Sequence, residues 1–262
     1  MADIIRVNGL HKRFGEFDAV KQISFAVAEG TTFAFLGPNG AGKSTTIKML
    51  TTLLQPTSGS IEIDGHDPVR EPGAVRHSCG IVFQDPSLDD DLTAWENMEF
   101  HGVLYGVPRP VRRARISELL EFVELHDRRD SFVKEFSGGM KRRLEIARGL
   151  LHHPKIIFLD EPTLGLDPQT RNHMWEYLHK LRASEGITVF FTTHYMEEAE
   201  RNAERIAVID HGEIIAAGTS TELKERTGAA SLEDAFLQLT GREIRQENAD
   251  PSARMRMIRG RR

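Results

Sequence analysis

A glycine-rich segment at residues 37–44 carries the clearest chemistry in this sequence. It matches the pattern G-x-x-x-x-G-K-[ST] and lies between a predicted strand and a predicted helix. Glycines let successive backbone N–H groups turn toward one anion, and the helix that follows directs its positive end at the same point. Lys43 can then reach the β- and γ-phosphates of a nucleotide, and the Ser44 hydroxyl can bind Mg²⁺. An ordinary glycine-rich turn before a capped helix is the alternative. The residues predicted to hold the nucleotide here are Gly37, Pro38, Asn39, Gly40, Ala41, Gly42, Lys43, Ser44 and Thr45.

Two acidic residues follow a second apolar run, residues 156–159. A carboxylate at the end of a buried strand beside a phosphate loop can hold Mg²⁺, commonly through water, as in the Walker B arrangement. Asp160 is predicted to take that role. Glu161 could then accept a proton from the water that attacks the γ-phosphate. The alternative is that Asp-Glu-Pro only begins a turn.

A third segment, residues 136–140, opens a basic helix shortly before those acids. Ser137, together with the N–H groups of Gly138 and Gly139, can form a second anion-binding helix start. A plain helix N-cap is the alternative interpretation.

Short apolar strands that alternate with amphipathic helices must position these groups. Predicted strands at residues 32–36, 80–84, 156–159, 188–192 and 205–210 indicate an α/β sheet covered on both faces. The block 85–153 has a helical pattern and is predicted to be a helical subdomain inserted into that sheet. Other predicted strands are 4–7, 22–27 and 60–64, and other predicted helices are 44–54, 168–184, 195–202 and 232–239.

Composition excludes several classes of protein. The chain has 262 residues, of which 39% are hydrophobic, and a formal charge of −5, which argues against a general nucleic-acid coat protein. It contains no stretch of about 20 apolar residues and no signal peptide, so we expect a soluble intracellular chain. The single cysteine, Cys79, excludes an internal disulfide and a cysteine-based metal site. From residue 241 onward seven arginines and three acids predict a loosely ordered tail.

The Ser-Gly-Gly centre at residues 137–139 resembles the signature motif of the ATP-binding cassette family, usually Leu-Ser-Gly-Gly-Gln. Phe136 and Met140 replace its outer residues. The resemblance covers about residues 3–240. It implies a P-loop NTPase core sheet with an N-terminal antiparallel β subdomain and an inserted helical subdomain. It also implies an ATP-binding domain over 1–228, followed by a C-terminal extension at 229–262.

The resemblance assigns four further residues. Gln84 matches the Q-loop glutamine, which contacts the metal–water shell and links to a membrane partner. Asp167 matches the D-loop at a dimer contact, and His194 matches the switch histidine that contacts the γ-phosphate. Phe14 occupies the position that stacks on adenine. A structural histidine and a hairpin core residue are the alternatives for His194 and Phe14. ATP and Mg²⁺ are the implied cofactors.

One phosphate loop and one signature in a single chain imply a head-to-tail dimer, because in the family the signature of one cassette completes the site of another. Ser137 would then contact the γ-phosphate bound by Lys43 of the partner subunit. This dimer is implied by the resemblance alone.

A narrower resemblance concerns the segments 136–140, 161–168, 192–199 and 232–236, which are similar to the daunorubicin-resistance type of type-2 ABC exporters. It implies an ATPase subunit at the cytoplasmic face of the membrane that powers export of a drug, an antibiotic or a similar small molecule. Separate integral-membrane permease subunits would bind the transported substrate, and no specific nucleic acid is expected. An importer subunit and a non-transport ATPase acting on DNA or ribosomes are the alternatives. Candidates for a groove toward the permease, or alternatively for plain subdomain packing, are Leu92, Trp95, Met98, Phe100 and Tyr105.

Overall fold

A computed structural model describes residues 2–85 and 87–241, and the arginine-rich segment from 242 onward lies outside the described residues. The strands in the described part are β1 (Asp3–Phe14), β2 (Phe17–Ala28), β3 (Thr32–Leu36), β4 (Ser58–Ile63), β5 (Cys79–Val82), β6 (Ile156–Asp160), β7 (Thr188–Thr193), β8 (Arg205–Asp210) and β9 (Glu213–Gly218). The helices there are α1 (Lys43–Leu50), α2 (Pro72–Ser78), α3 (Ala94–Leu104), α4 (Arg109–Phe122), α5 (Gly138–Gly149), α6 (Pro168–Glu185), α7 (Met196–Asn202), α8 (Ser220–Thr227) and α9 (Leu232–Thr240).

The central sheet has six strands in the order β5-β6-β7-β3-β8-β9. The pairs from β5 to β8 are parallel, and β9 pairs antiparallel with β8. In β3, Phe33 and Phe35 enter one apolar cluster while Ala34 and Leu36 enter the other. Because successive side chains of a strand point to opposite faces, β3 is buried on both sides. The predicted α/β sheet covered on both faces is confirmed.

A smaller antiparallel sheet, in the order β2-β1-β4, covers one side of the molecule. Its Phe25 ring lies 5.7 Å from Phe33 and 5.1 Å from Phe35 of the central sheet, measured between ring centroids. These aromatic contacts join the two sheets into one core. The antiparallel N-terminal subdomain that the resemblance implied is confirmed.

The helices α3, α4 and α5 lie between β5 and β6 in the chain, as the predicted insertion requires. Their inward faces share a core in which Met98, Ile116 and Leu144 are fully buried. Thr93 begins α3 with a reciprocal capping box to Glu96, which explains why this helix starts there. Met98 therefore packs inside the subdomain, whereas Phe100 is 61% exposed.

Gln84 was predicted to end a strand, and this was wrong, because β5 stops at Val82. The parallel pairing of β5 with β6 ends where Val82 lies beside Leu159, and the Phe83 carbonyl instead accepts a hydrogen bond from Arg142. Gln84 thus lies in the loop beyond the strand.

Three elements had no clear signal in the sequence: α2, α8 and β9. Helix α2 buries only Val75 and helix α8 only Leu223, so neither presents a periodic apolar face. The predicted first helix was also too long, because α1 ends at Leu50 and Thr52 takes a left-handed conformation with φ of 67°.

The C-terminal helix α9 buries Leu232, Ala235 and Phe236, and two of these belong to the core shared with the central sheet. The boundary between an ATP-binding domain at 1–228 and a C-terminal extension at 229–262 stays a prediction. Within the described residues, no helix has the length and apolar character needed to cross a membrane.

Candidate active site

The predicted site residues follow neighbouring strands of the central sheet. Strands β5, β6, β7 and β3 are adjacent, and they lead into Gln84, the acidic pair, His194 and the phosphate loop respectively. Because these strands are parallel, their carboxyl ends meet at one edge of the sheet. The topology therefore gathers groups that are more than 150 residues apart in the sequence.

The phosphate loop depends on glycine for its close backbone approaches. Gly42 has φ of 103°, and a Cβ atom there would lie 2.6 Å from the Ala19 carbonyl oxygen. A Cβ atom at Gly37 would lie 2.1 Å from the Ile209 carbonyl oxygen. Helix α1 begins without a side-chain cap, so the N–H groups of its first turn have no acceptor of that kind. This uncapped helix start fits a bound phosphate group.

Lys43 is buried and holds the loop together. Its Nζ donates to the carbonyl oxygens of Gly37 at 2.6 Å and Pro38 at 3.1 Å. The same atom lies 3.0 Å from Oε1 of Glu161, and only 4% of the lysine side chain is exposed. A cation is thus fixed between the phosphate loop and the predicted catalytic base.

Glu161 is held by two charged or polar neighbours. Its Oε2 lies 2.5 Å from Nδ1 of His194. Burial raises the pKa of the Glu161 carboxyl, but the hydrogen bond with His194 and the charge of Lys43 outweigh burial, so the pKa is lowered. The carboxylate form therefore prevails at neutral pH. The residue also has φ of 50°, a left-handed conformation that costs a non-glycine residue about 1–3 kcal/mol and is concentrated at functional sites.

Asp160 and Glu161 are oriented by a residue that sequence reasoning missed, Thr192. Its hydroxyl donates to Oδ1 of Asp160 at 2.6 Å and accepts the Glu161 N–H at 3.0 Å. Asp160 is 5% exposed. The signal available in the sequence was a polar residue at the end of an apolar strand.

Oxygen donors suited to Mg²⁺ are present in Asp160 and Ser44. Among the residues that the structure describes, no three His, Cys, Asp or Glu side chains form a group that could hold a metal ion. In nucleotide sites Mg²⁺ is usually bound by one or two carboxylates together with the phosphates.

The signature residue Ser137 and the D-loop residue Asp167 each cap a helix. Ser137 is exposed and caps α5, accepting the Met140 N–H at 3.3 Å. Asp167 caps α6 by accepting the N–H groups of Gln169 and Thr170 at 3.1 and 3.0 Å. Hydrogen bonds from Thr170 lower the pKa of Asp167.

Phe14 and Gln84 are both exposed. Phe14, at the end of β1, is 48% exposed and has Lys12 Nζ 5.0 Å from its ring centroid, so it is not a core residue of the hairpin. On the neighbouring strand Lys12 pairs with Val20, which contacts the phosphate loop near Gly42. Phe14 follows two residues after Lys12 on β1, and its stacking on adenine stays a prediction.

Sequence reasoning also missed a buried carboxylate behind His194. Glu198 is 5% exposed and accepts hydrogen bonds from Thr163, at 2.6 Å, from Trp175 Nε1, at 2.9 Å, and from Thr193. It ties the strand before His194 to the segment after the acidic pair. A charged residue on the inner face of α7 was its only signal.

Comparison with known proteins agrees with this geometry. The sequence model of the ABC transporter family matches residues 20–164. The chain is 45% identical over 242 residues to the daunorubicin resistance ATP-binding protein DrrA3 of Streptomyces coeruleorubidus. This alignment covers 92% of this chain and 76% of the relative. It is 43% identical over 237 residues to the linearmycin resistance ATP-binding protein LnrL of Bacillus subtilis (strain 168), covering 90% and 75%.

Solved structures give the same result. An ATP-binding subunit of an ABC transporter superposes with a TM-score of 0.82 at 30% identity, covering 90% of this chain and 99% of the other. A dimeric ATP-binding cassette in a post-hydrolysis state, bound to ADP and Pi, superposes with a TM-score of 0.74 at 31% identity, covering 82% and 98%. The chain therefore belongs to the ABC transporter family, as one of its ATP-binding ATPase subunits.

Proposed function

We propose that this ATPase powers the export of a drug, an antibiotic or a similar small molecule across the cytoplasmic membrane. The observation that carries the catalytic part is the contact of Lys43, Glu161 and His194 at one edge of the sheet. Support for export comes from the relatives whose names specify resistance to daunorubicin and to linearmycin.

Each residue of that cluster has a role in hydrolysis. Lys43 binds the β- and γ-phosphates and offsets the charge that develops on the transferred phosphoryl group. Glu161, kept ionised, orients the attacking water and accepts its proton. His194 contacts the γ-phosphate while its Nδ1 holds the Glu161 carboxylate in place.

Mg²⁺ would be held by Ser44 and Asp160, with Gln84 in its water shell. When bound, it would neutralise negative charge on the β- and γ-phosphates. Thr192 orients the Asp160 carboxylate for this role through its 2.6 Å hydrogen bond.

A head-to-tail dimer would complete each site with the signature of the second copy. Ser137, Gly138 and Gly139 are at the start of α5, where Ser137 and Gly138 are exposed, and Asp167 is exposed at the start of α6. The dimeric cassette among the structural neighbours supports this arrangement. Ser137 of one copy would then contact the γ-phosphate that Lys43 of the partner subunit binds.

Separate membrane-spanning permease subunits would bind this chain at the cytoplasmic face of the membrane and carry the transported molecule. The helical subdomain offers them an apolar surface, since Phe100, Val103 and Leu104 on α3 are 61%, 55% and 66% exposed. An ABC importer, or an ATPase acting on DNA or ribosomes, would use the same ATP chemistry, and the names of the relatives favour export over both.

Affinity purification of the tagged Glu161→Gln chain from detergent-solubilised native membranes with ATP and Mg²⁺ tests this function. We expect a polytopic membrane protein to co-purify, because blocked hydrolysis prolongs the ATP-bound complex. The matched control is Glu161→Gln combined with Phe100→Ser and Leu104→Ser, which alters only exposed apolar side chains and should lose the membrane protein. Recovery of ribosomes or DNA repair proteins without a membrane subunit would overturn the exporter.

A further inference from the structure

A buried arginine on α5 holds the backbone that carries both catalytic acids. Arg142 is 7% exposed. Its Nη2 donates to the carbonyl oxygens of Asp160 and Glu161 at 3.2 and 3.1 Å, and its Nε donates to the Pro162 carbonyl at 2.8 Å. Three consecutive peptide groups are therefore fixed to one guanidinium, at the point where Glu161 takes its left-handed conformation.

The same guanidinium also reaches the segment that carries Gln84. Its Nη1 donates to the Phe83 carbonyl and lies 3.3 Å from Oε2 of Glu145, which is 1% exposed. Glu145 in turn accepts the Ser87 N–H at 2.7 Å and the Ser87 hydroxyl at 3.2 Å. Phe83 is thus bound by the arginine, and Ser87 by the glutamate.

The number of hydrogen-bond acceptors around residue 142 explains why arginine is required at this position. A guanidinium has five N–H donors in a planar fork, and Arg142 has five acceptors: four carbonyl oxygens and one carboxylate oxygen. Lysine has three donors on one atom and cannot span this set. All five acceptors lie outside the phosphate loop, so Arg142 holds the acidic pair and its neighbours rather than the loop residues.

Helix α5 carries this pair on one face. Arg142 and Glu145 are three residues apart, and Arg148, three further on, donates to the Ser87 carbonyl at 2.7 Å. Residues at that spacing are neighbours on a helix surface. Ser137 caps this helix, so one element connects the signature, the catalytic base and the residues Phe83 and Ser87.

We propose that Arg142 is a positioning residue for ATP hydrolysis, which together with Glu145 fixes the backbone of Glu161 relative to Phe83 and Ser87, on either side of Gln84. A displacement of Phe83 or Ser87 then reaches the catalytic base through Arg142 and Glu145, without passing through the phosphate loop. This inference rests on the role proposed above for Glu161.

The test is the steady-state kinetics of Arg142→Gln. We expect kcat to fall by about 10-fold to about 100-fold, because a misplaced base loses alignment with water, while the KM for ATP stays within about twofold. Arg142→Lys should recover part of kcat, since it restores the charge and some donors. Hydrogen exchange should rise together in peptides that contain Ser87 and in peptides that contain Glu161.

A double variant separates positioning from the effect of an unpaired buried charge. Replacing a buried ion pair by apolar residues of similar volume is often neutral for stability, whereas removing one partner is strongly destabilising. Arg142→Met with Glu145→Met removes the unpaired charge and should therefore melt at a higher temperature than Arg142→Met alone, while kcat stays low. Recovery of kcat along with the melting temperature would show a merely structural pair and overturn the proposal.

One control variant and one comparison distinguish a failure of this inference from a failure of the role proposed for Glu161. Arg143→Gln changes the adjacent arginine, which contacts the Val123 carbonyl and Glu124 on the other side of α5, and it should leave kcat unchanged. An inactive Glu161→Gln beside a fully active Arg142→Gln would overturn this inference alone. A fully active Glu161→Gln would overturn the base and the inference together.

Discussion

Two helix starts in this molecule are built from similar residues and have opposite surroundings. The N-cap residue of α1 is Gly42, which is buried and provides no side-chain cap, and the first residue of the helix is the buried Lys43. Helix α5 begins at Ser137, which is exposed and caps its own helix through the Met140 N–H. Both combine glycine with the positive end of a helix dipole.

The difference indicates what each helix start can do within one chain. At α1, the lysine already contacts Glu161, so the residues proposed for phosphate binding and for catalysis meet inside a single copy. At α5, Ser137 has only its own helix as a partner among the contacts described above, and its face is open to another molecule. We infer that the start of α1 forms a nucleotide site and that the start of α5 completes the nucleotide site of another copy.

Lys43→Ala should have the largest effect. It removes the cation next to the phosphates and leaves Glu161 buried beside His194 alone, so we expect ATP turnover to fall by about 10³-fold or more. Turnover measured on the purified chain with its membrane partner checks this. Lys48→Ala, an exposed lysine in the last turn of the same helix, is the control, and an equal loss there would contradict the assignment.

Glu161→Gln should lower turnover by about 10²-fold or more while nucleotide binding is preserved. The amide keeps the size of the side chain and removes the proton acceptor. Turnover and equilibrium ATP binding are measured on the same preparation, with the exposed Glu197→Gln as control. Near-normal turnover would exclude Glu161 as the base.

Ser137→Ala should lower turnover by about 10-fold. Mixing this variant with a second one distinguishes a site shared between two copies from a plain helix cap. An equimolar mixture of Ser137→Ala and Lys43→Ala chains would form mixed dimers with one intact composite site each. We expect about a quarter of wild-type activity, since about half of the dimers are mixed. If the mixture is no more active than its components, Ser137 acts only within its own chain. The start of α5 then does not complete the site of another copy.

Phe14→Ala should raise the KM for ATP about fivefold, which corresponds to the loss of about 1 kcal/mol of base stacking. Phe14→Tyr should restore the affinity because any aromatic face can stack. Phe17→Ala removes a ring that is 65% exposed on the facing strand and serves as control. An unchanged KM in Phe14→Ala would place the base elsewhere.

The smallest expected effect concerns pH. The pKa of Glu161 is lowered from its ordinary value of 4.5, so its carboxylate stays ionised as the pH falls to about 5. The ratio of wild-type to Glu161→Gln turnover should thus vary by less than about twofold between about pH 5 and about pH 7. A ratio that falls steeply below about pH 6 would show a raised pKa and a weaker hold by Lys43 and His194.

Much of the fold could be predicted from local patterns. Strand β3 and strand β8 have the predicted bounds, because each is a short, fully apolar or nearly apolar run between turn residues. Helices α2 and α8 escaped prediction because each buries a single side chain. Gln84 was misplaced by the same kind of reasoning, since the end of β5 depends on the pairing with β6 and on Arg142.

Local sequence was enough to identify the phosphate loop, the acidic pair and the signature, because each is a contiguous run whose chemistry depends on neighbouring residues. Tertiary structure alone decided that Lys43, Glu161 and His194 touch, and that Thr192 and Arg142 hold the acids in place. The physical reason is the order of the strands: a parallel sheet sets residues from distant segments side by side, and no local pattern records which strands are adjacent.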